Sequence, residues 1–328
     1  MKIAFLQGSD QRERIFTNRH LEQLRQWGEV TLNERKGIQK EEQLANAIKD
    51  ADVAITSWGV SALNHRVLDE APNLKVVLHA AGTVKTIVTP ELWARGIRVA
   101  NAAAALGKGV AETALGMTIA SLKDIWRLGR YTRKGQWGEV QNVKEMFDVK
   151  VGVVGAGMAG THFIRLLQQF EVDILVYDPV LSAERVEAMG AVKVSFEELL
   201  EQSDVISIHV PSLPDTFRMF NENSFQLMKD DCILINTARG AVIDEPALVK
   251  ELERGRFFAC LDVTDPEPPT ADHPFRNLPN VVLTPHIAGA VNNGLQRVAR
   301  SVMHDLQFYM QGKVMKGEVK CEELNLLA

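Results

Sequence analysis

The stretch Val151-Gly152-Val153-Val154-Gly155-Ala156-Gly157-Met158-Ala159-Gly160 carries an apolar run straight into G-x-G-x-x-G, and a helical pattern opens behind it. Strand, tight turn and helix in that order form the setting in which such glycines bind a dinucleotide. Gly155 permits the turn, Gly157 lets the backbone approach a pyrophosphate, and Gly160 lets the helix pack close to the strand. The phosphates then face the positive end of the helix. The next apolar run, Ile174 to Tyr177, ends at Asp178, 21 residues after Gly157. That is close to the spacing of an acid that holds the adenosine ribose. Met158 and Ala159 complete the loop as cofactor-binding candidates.

The motif begins near the middle of a 328-residue chain, a length that suits two domains. With 46% hydrophobic and 24% charged residues, there is material for two cores. A net charge of −5 and the lack of a long Lys/Arg tract argue against nucleic acid or an anionic membrane as partner. No run reaches the 18 or so apolar residues of a membrane span, and Met1 to Leu6 is too short for a signal peptide and reads as a first strand. Cys232, Cys260 and Cys321 lack metal-ligand or CxxC spacing, and their odd number does not suggest a disulfide framework. A cytoplasmic protein without a metal site is expected.

From Lys2 to Asn101, short apolar runs alternate with amphipathic helical patterns, the clearer strands being Ile3 to Leu6, Val53 to Thr56, Leu74 to His79 and Ile97 to Ala100. Such alternation predicts a parallel α/β sheet. A long helix is predicted over Gly109 to Trp126. A second series follows, with strands at Val151 to Val154, Ile174 to Tyr177, Val205 to His209, Ile233 to Asn236, Phe258 to Asp262 and Val281 to Leu283. Six is the Rossmann count. Leu295 to Met310 then reads as a helix with no sheet of its own to cover, which is expected to return to the first lobe. The expected domains are 102–289 for the dinucleotide and 1–101 plus 290–328 for the substrate.

Ligands of an open parallel sheet bind beyond the carboxyl ends of its strands. There the second series places Gly155, Asp178, Pro211, Arg239, the segment Asp262 to Glu267, and His286. Passing a hydride to a 2-keto acid takes a cation to orient the carboxylate and a proton donor for the carbonyl oxygen. Arginine supplies a bidentate fork for the first task, and histidine is the usual choice for the second. A carboxylate beside the imidazole fixes its tautomer and favours the charged, donating form. Arg239, His286 and Glu267 fit those roles. His209 reads as structural, and Trp58, following a strand of the first lobe, is a candidate for the substrate pocket.

The glycine loop, Tyr177-Asp178-Pro179, His209-Val210-Pro211, Asn236-Thr237-Ala238-Arg239-Gly240, Asp262 to Pro268 and Thr284-Pro285-His286 together resemble the D-isomer-specific 2-hydroxyacid dehydrogenases, in order and in spacing. The resemblance implies an α/β protein in which a Rossmann NAD-binding domain is inserted in a flavodoxin-like substrate domain. It further implies an active site in the cleft between the domains and a homodimer built largely on the NAD lobe. Arg239 would clamp the carboxylate, Glu267 would partner the acid/base His286, and Asp262 would meet the nicotinamide carboxamide. Val210, Pro211, Thr216, Thr237 and Gly289 join the expected cofactor contacts. NAD is preferred to NADP, since Asp178 would repel a 2′-phosphate.

Two departures stand out. Relatives usually hold the substrate carboxylate on a Gly-Val-Asp-Asn type loop, where this chain has Gly82-Thr83-Val84-Lys85-Thr86. Gly82, Thr83 and Lys85 are therefore the expected substrate contacts, with Lys85 bringing a positive charge suited to a second anionic group. Ala288 also replaces the first of two adjacent glycines, from which only minor adjustment is expected. Other readings are a formate-type dehydrogenase, disfavoured because glutamine is usual at the Glu267 position, and a phosphonate-oxidising relative with the same Arg, Glu and His. From another class comes an NAD(H)-sensing binding protein of the corepressor type, disfavoured by the short stretch after the last helix.

Overall fold

The computed structural model describes residues 1–326, and the chain divides into two units, Met1–Leu106 with the segment from Ala290 onward, and Gly107–Gly289. Residues 327 and 328, the end of the expected 290–328 segment, lie outside the described residues.

In the first unit, the strands β1 (Lys2–Phe5), β2 (Glu29–Thr31), β3 (Val53–Thr56), β4 (Val76–His79) and β5 (Arg98–Asn101) are parallel, and Glu318–Val319 adds antiparallel to β5. The order Glu318–Val319, β5, β4, β3, β1, β2 contains the 2-1-3-4-5 arrangement of flavodoxin-like sheets. The unbroken apolar runs are explained by burial on both faces. Ile3, Phe5, Val76 and Leu78 enter one core, while Ala4, Leu6, Val77 and Val99 enter the other. The helix Leu295–Met310 puts Leu295, Val298, Ala299, Val302, Met303 and Leu306 into the first of these cores. The spacing of three and four residues is what aligns them on one face.

The second unit holds β6 (Phe147–Val154), β7 (Glu171–Tyr177), β8 (Val192–Lys193), β9 (Val205–Ile208), β10 (Cys232–Asn236), β11 (Phe257–Leu261) and β12 (Val281–Leu283). All are parallel, in the order β12, β11, β10, β9, β6, β7, β8. The expectation of six strands is one short, because the two-residue β8 has no apolar run to announce it. Counted from β6, the order is 3-2-1-4-5-6 of the Rossmann sheet with a seventh strand added. Val151, Val153, Ile233 and Ile235 face one core, and Val154, Ile206, Leu234 and Leu261 the other.

The predicted Gly109 to Trp126 helix is also corrected. A helix runs over Ala103–Leu122 and stops before Asp124, which takes φ +51° and starts a second helix, Ile125–Arg133. A left-handed residue of this kind cannot continue an α-helix. Among the described residues, no helix is long and apolar enough to cross a membrane.

Candidate active site

The strand order of the second unit reverses between β6 and β9, and the loops leaving these two strands touch. Gly155 has φ +90°, and a Cβ there would lie 2.7 Å from Val210 Cγ1. At Gly160 a Cβ would lie 2.1 Å from the Gly155 carbonyl oxygen, so the helix Met158–Leu167 reaches its position only with glycine there. Gly157 is different: a Cβ on it would meet nothing within 4 Å. It is the N-cap of that helix and offers no side chain to the first N–H groups. An uncapped helix start beside open space suits an anionic phosphate.

Asp178 is buried, and its carboxylate accepts from Ala156 N at 2.9 Å, Val180 N at 2.9 Å and Leu181 N at 3.0 Å. It therefore ties the glycine loop to the end of β7. Two of the three donors reach Oδ1 and one reaches Oδ2, which leaves acceptor capacity for a ribose hydroxyl. Thr237 Oγ1, just past β10, is buried without a hydrogen-bond partner among the described residues. An orphaned buried hydroxyl on this sheet edge fits a bound dinucleotide. Thr216 has its hydroxyl engaged, donating to Pro211 O at 2.6 Å and accepting from Leu213 N at 2.9 Å. The half-buried His209 lies 2.9 Å by Nε2 from Ser207 Oγ and tilts against Phe163. Burial lowers its pKa to about 4, which keeps the ring neutral and makes it a packing element.

β10, β11 and β12 are neighbours with Asn236 level with Leu261 and Leu261 with Leu283. Arg239, Asp262 and His286, all within three residues of those strand ends, share one edge of the sheet. The exposed Arg239 donates from Nη1 to Ala238 O at 2.7 Å, and Asn236 Nδ2 holds the Arg239 carbonyl at 2.9 Å. Its guanidinium has no acidic partner among the described residues, so the fork is available to a ligand carboxylate. Glu267 Oε1 lies 2.7 Å from His286 Nδ1. With the carboxylate on Nδ1, that nitrogen carries a proton and Nε2 is left as the exchanging atom.

The sequence did not reveal how His286 is held. Its φ is +52°, a sparsely populated region for a residue with a Cβ. Asp262 supports this geometry from beneath: its carbonyl accepts from His286 N at 2.9 Å, and its carboxylate from Ile287 N at 2.9 Å, Ala288 N at 2.7 Å and Thr284 Oγ1 at 2.6 Å. The helix Ala103–Leu122 crowds the far side of this turn, since a Cβ on Gly109 would lie 3.1 Å from Gly289 O. Ala288 is buried there, with its N–H on the Asp262 carboxylate.

In the first unit, Trp58 follows β3 and is 41% exposed, which separates it from the core. Gly82 and Thr83 follow β4 half-buried, and Lys85 is exposed. A residue that belongs to no motif braces this loop. His79, at the end of β4, meets Thr56 Oγ1 with Nδ1 at 2.9 Å and hydrogen-bonds the Thr83 backbone. Burial takes its pKa down to about 4, so it works as a neutral brace.

Residues 115–288 match the family model for the D-isomer specific 2-hydroxyacid dehydrogenase, NAD binding domain. The chain is 34% identical to a glyoxylate reductase of Thermofilum pendens, over 95% of its own length and 94% of the relative. It is 32% identical to a D-3-phosphoglycerate dehydrogenase of Archaeoglobus fulgidus over 87% of its length, but spans only 54% of that longer protein. A phosphoglycerate oxidoreductase from Rhizobium etli shares the fold, with a TM-score of 0.84 at 23% identity and coverage of 98% and 99%. With the Rossmann sheet, its glycine loop and this match in hand, the chain belongs to the D-isomer specific 2-hydroxyacid dehydrogenases, a family of NAD-dependent oxidoreductases.

Proposed function

We propose that the protein reduces a small 2-keto acid to the D-2-hydroxy acid, with glyoxylate and hydroxypyruvate as the first compounds to test. The observation that carries this reading is the 2.7 Å pair of Glu267 and His286 on the sheet edge that also presents an unpaired Arg239. NADH, when bound, supplies the hydride. Gly155, Gly157, Met158, Ala159 and Gly160 would cradle its pyrophosphate and Asp178 its ribose, with Val210, Pro211, Thr216, Thr237, Asp262 and Gly289 around the remainder.

Arg239 grips the substrate carboxylate with two parallel N–H bonds and so fixes which face of the carbonyl is presented. His286, charged and oriented by Glu267, gives its Nε2 proton to the carbonyl oxygen as the hydride reaches the carbon. The product is the hydroxy acid, and the ring is left neutral with its proton on Nδ1. Oxidation runs the same transfers backwards, with the neutral ring as base. Gly82, Thr83, Lys85 and Trp58 are the proposed substrate contacts of the first unit.

We also propose a cytoplasmic homodimer. The helix Ile125–Arg133 and the residues after it leave Ile125, Trp137, Val140 and Phe147 exposed, Trp137 by 92%. An apolar group of this kind suits a second copy of the chain. A molecular mass in solution near 36 kDa by analytical ultracentrifugation would remove the dimer. The reaction is tested by following NADH absorbance with glyoxylate, hydroxypyruvate, pyruvate, oxaloacetate and phosphorylated keto acids. Tight NADH binding without turnover on any of them would replace the enzyme with an NAD(H)-sensing binding protein.

A further inference from the structure

Glu245 opens the helix Glu245–Glu253, yet it does not cap it: that task falls to Asp244, whose Oδ1 accepts from Ala247 N at 3.3 Å. Glu245 is nonetheless 7% exposed. Burying a carboxylate is costly unless donors surround it, and here both oxygens are used for contacts outside the helix. Oε1 accepts from Asp265 N at 2.8 Å, and Oε2 lies 3.2 Å from His273 Nε2. His273 Nδ1 accepts from Phe275 N at 3.3 Å, so the proton of the neutral ring sits on Nε2, the atom nearest Glu245.

These partners stand on either side of Glu267. Asp265 precedes it by two residues, and His273 follows it by six. One carboxylate thus ties the two feet of the loop that carries Glu267. Arg276 reinforces the second foot, donating to Pro269 O and Thr270 O, both at 2.8 Å. On the inner side a Cβ on Gly240, the neighbour of Arg239, would lie 2.1 Å from the Thr264 carbonyl carbon. The loop is therefore pressed against the Arg239 segment while Glu245 and His273 hold its ends.

We propose that Glu245 and His273 are positioning residues whose contacts with the two feet of this loop set the place of Glu267 and thereby the Glu267–His286 contact. The inference rests on Glu267 and His286 being the acid/base pair. Burial, aided by the Asp265 charge and opposed by the Asp265 N–H, pushes the Glu245 carboxyl up to about 7.

The test follows the ring of His286 by NMR as a function of pH in the full-length protein, comparing wild type, Glu245→Gln, His273→Ala, Glu267→Gln and the Glu245→Gln/Glu267→Gln pair. Glutamine keeps the size of Glu245 but has one acceptor for two donors. Glu245→Gln should move the pH midpoint of the His286 ring in the same direction as Glu267→Gln, by at least half as much, and the double variant should move it no further than Glu267→Gln alone. His273→Ala, which leaves the Asp265 bond intact, should give a smaller shift of the same sign and serves if Glu245→Gln does not fold. A wild-type midpoint in Glu245→Gln and His273→Ala, beside a shifted Glu267→Gln, would overturn the positioning role and leave the acid/base pair standing. An unshifted Glu267→Gln would remove the pair itself, and this inference with it.

Discussion

Asp262 carries the backbone of His286: its carbonyl holds the His286 N–H at 2.9 Å, and its carboxylate holds the next two N–H groups at 2.9 and 2.7 Å. The turn in which the histidine takes φ +52° is thus held by this buried acid, whose carboxylate accepts from Ile287 N and Ala288 N. Asp262→Asn should therefore loosen the turn, since an amide has a single acceptor oxygen. A stability loss of roughly 1–3 kcal/mol is expected from the donors left unpaired, together with a fall in kcat of about tenfold or more. Thermal unfolding and steady-state rates measure the two. Wild-type values of both would deny Asp262 this role.

Glu267 is proposed to act on the chemistry, where Asp262 supports the geometry. Removing its charge favours the neutral imidazole, so in Glu267→Gln the reductive rate should decline at lower pH than in wild type. Oxidation, which needs the neutral ring, should keep its rate to lower pH. Superimposable pH-rate profiles in both directions would reduce Glu267 to part of a surface turn.

Arg239 has no acidic partner among the described residues, so replacing it disturbs no ion pair of the fold. Arg239→Ala should raise KM and lower kcat, costing roughly 3–5 kcal/mol in transition-state binding, with NADH affinity near wild type. Arg239→Lys should recover little, because a point charge cannot reproduce the planar fork. Unchanged kinetics in the alanine variant would take the residue out of the site.

Asp178 should select NADH. Its buried carboxylate already meets three backbone N–H groups, and a 2′-phosphate would bring a second negative charge against it. kcat/KM should favour NADH over NADPH, and Asp178→Ala should narrow that preference while weakening NADH binding. Comparable efficiency with both cofactors in the wild-type enzyme would contradict this.

Lys85 is exposed on the loop after β4, and a second anion on the substrate would gain about 1–4 kcal/mol from a charge 4 Å away. Lys85→Ala should lower kcat/KM for oxaloacetate or a phosphorylated keto acid far more than for glyoxylate. An equal loss on both classes would leave it without a part in selectivity.

Local chemistry sufficed for the buried strands of the two sheets. Strands buried on both faces must be apolar throughout, and a dinucleotide loop must have glycine at Gly155 and Gly160, where a Cβ would strike Val210 or the Gly155 carbonyl. Arg239, Glu267 and His286 were legible because strand ends of a parallel sheet converge on one edge. The two-residue β8 was not, since its pairing with β7 comes from the neighbour and not from any apolar run of its own. The break at Asp124 was equally hidden inside a continuous helical pattern.

Only the tertiary structure decided what supports the site. Asp262 beneath His286, His79 against Thr56, and Glu245 bridging Asp265 to His273 are contacts between residues 20 to 28 positions apart. Spacing in the sequence carries no trace of them, because a hydrogen bond is set by where folded backbones bring donor and acceptor. The candidate groups were written in residue type and order; their alignment was settled by packing.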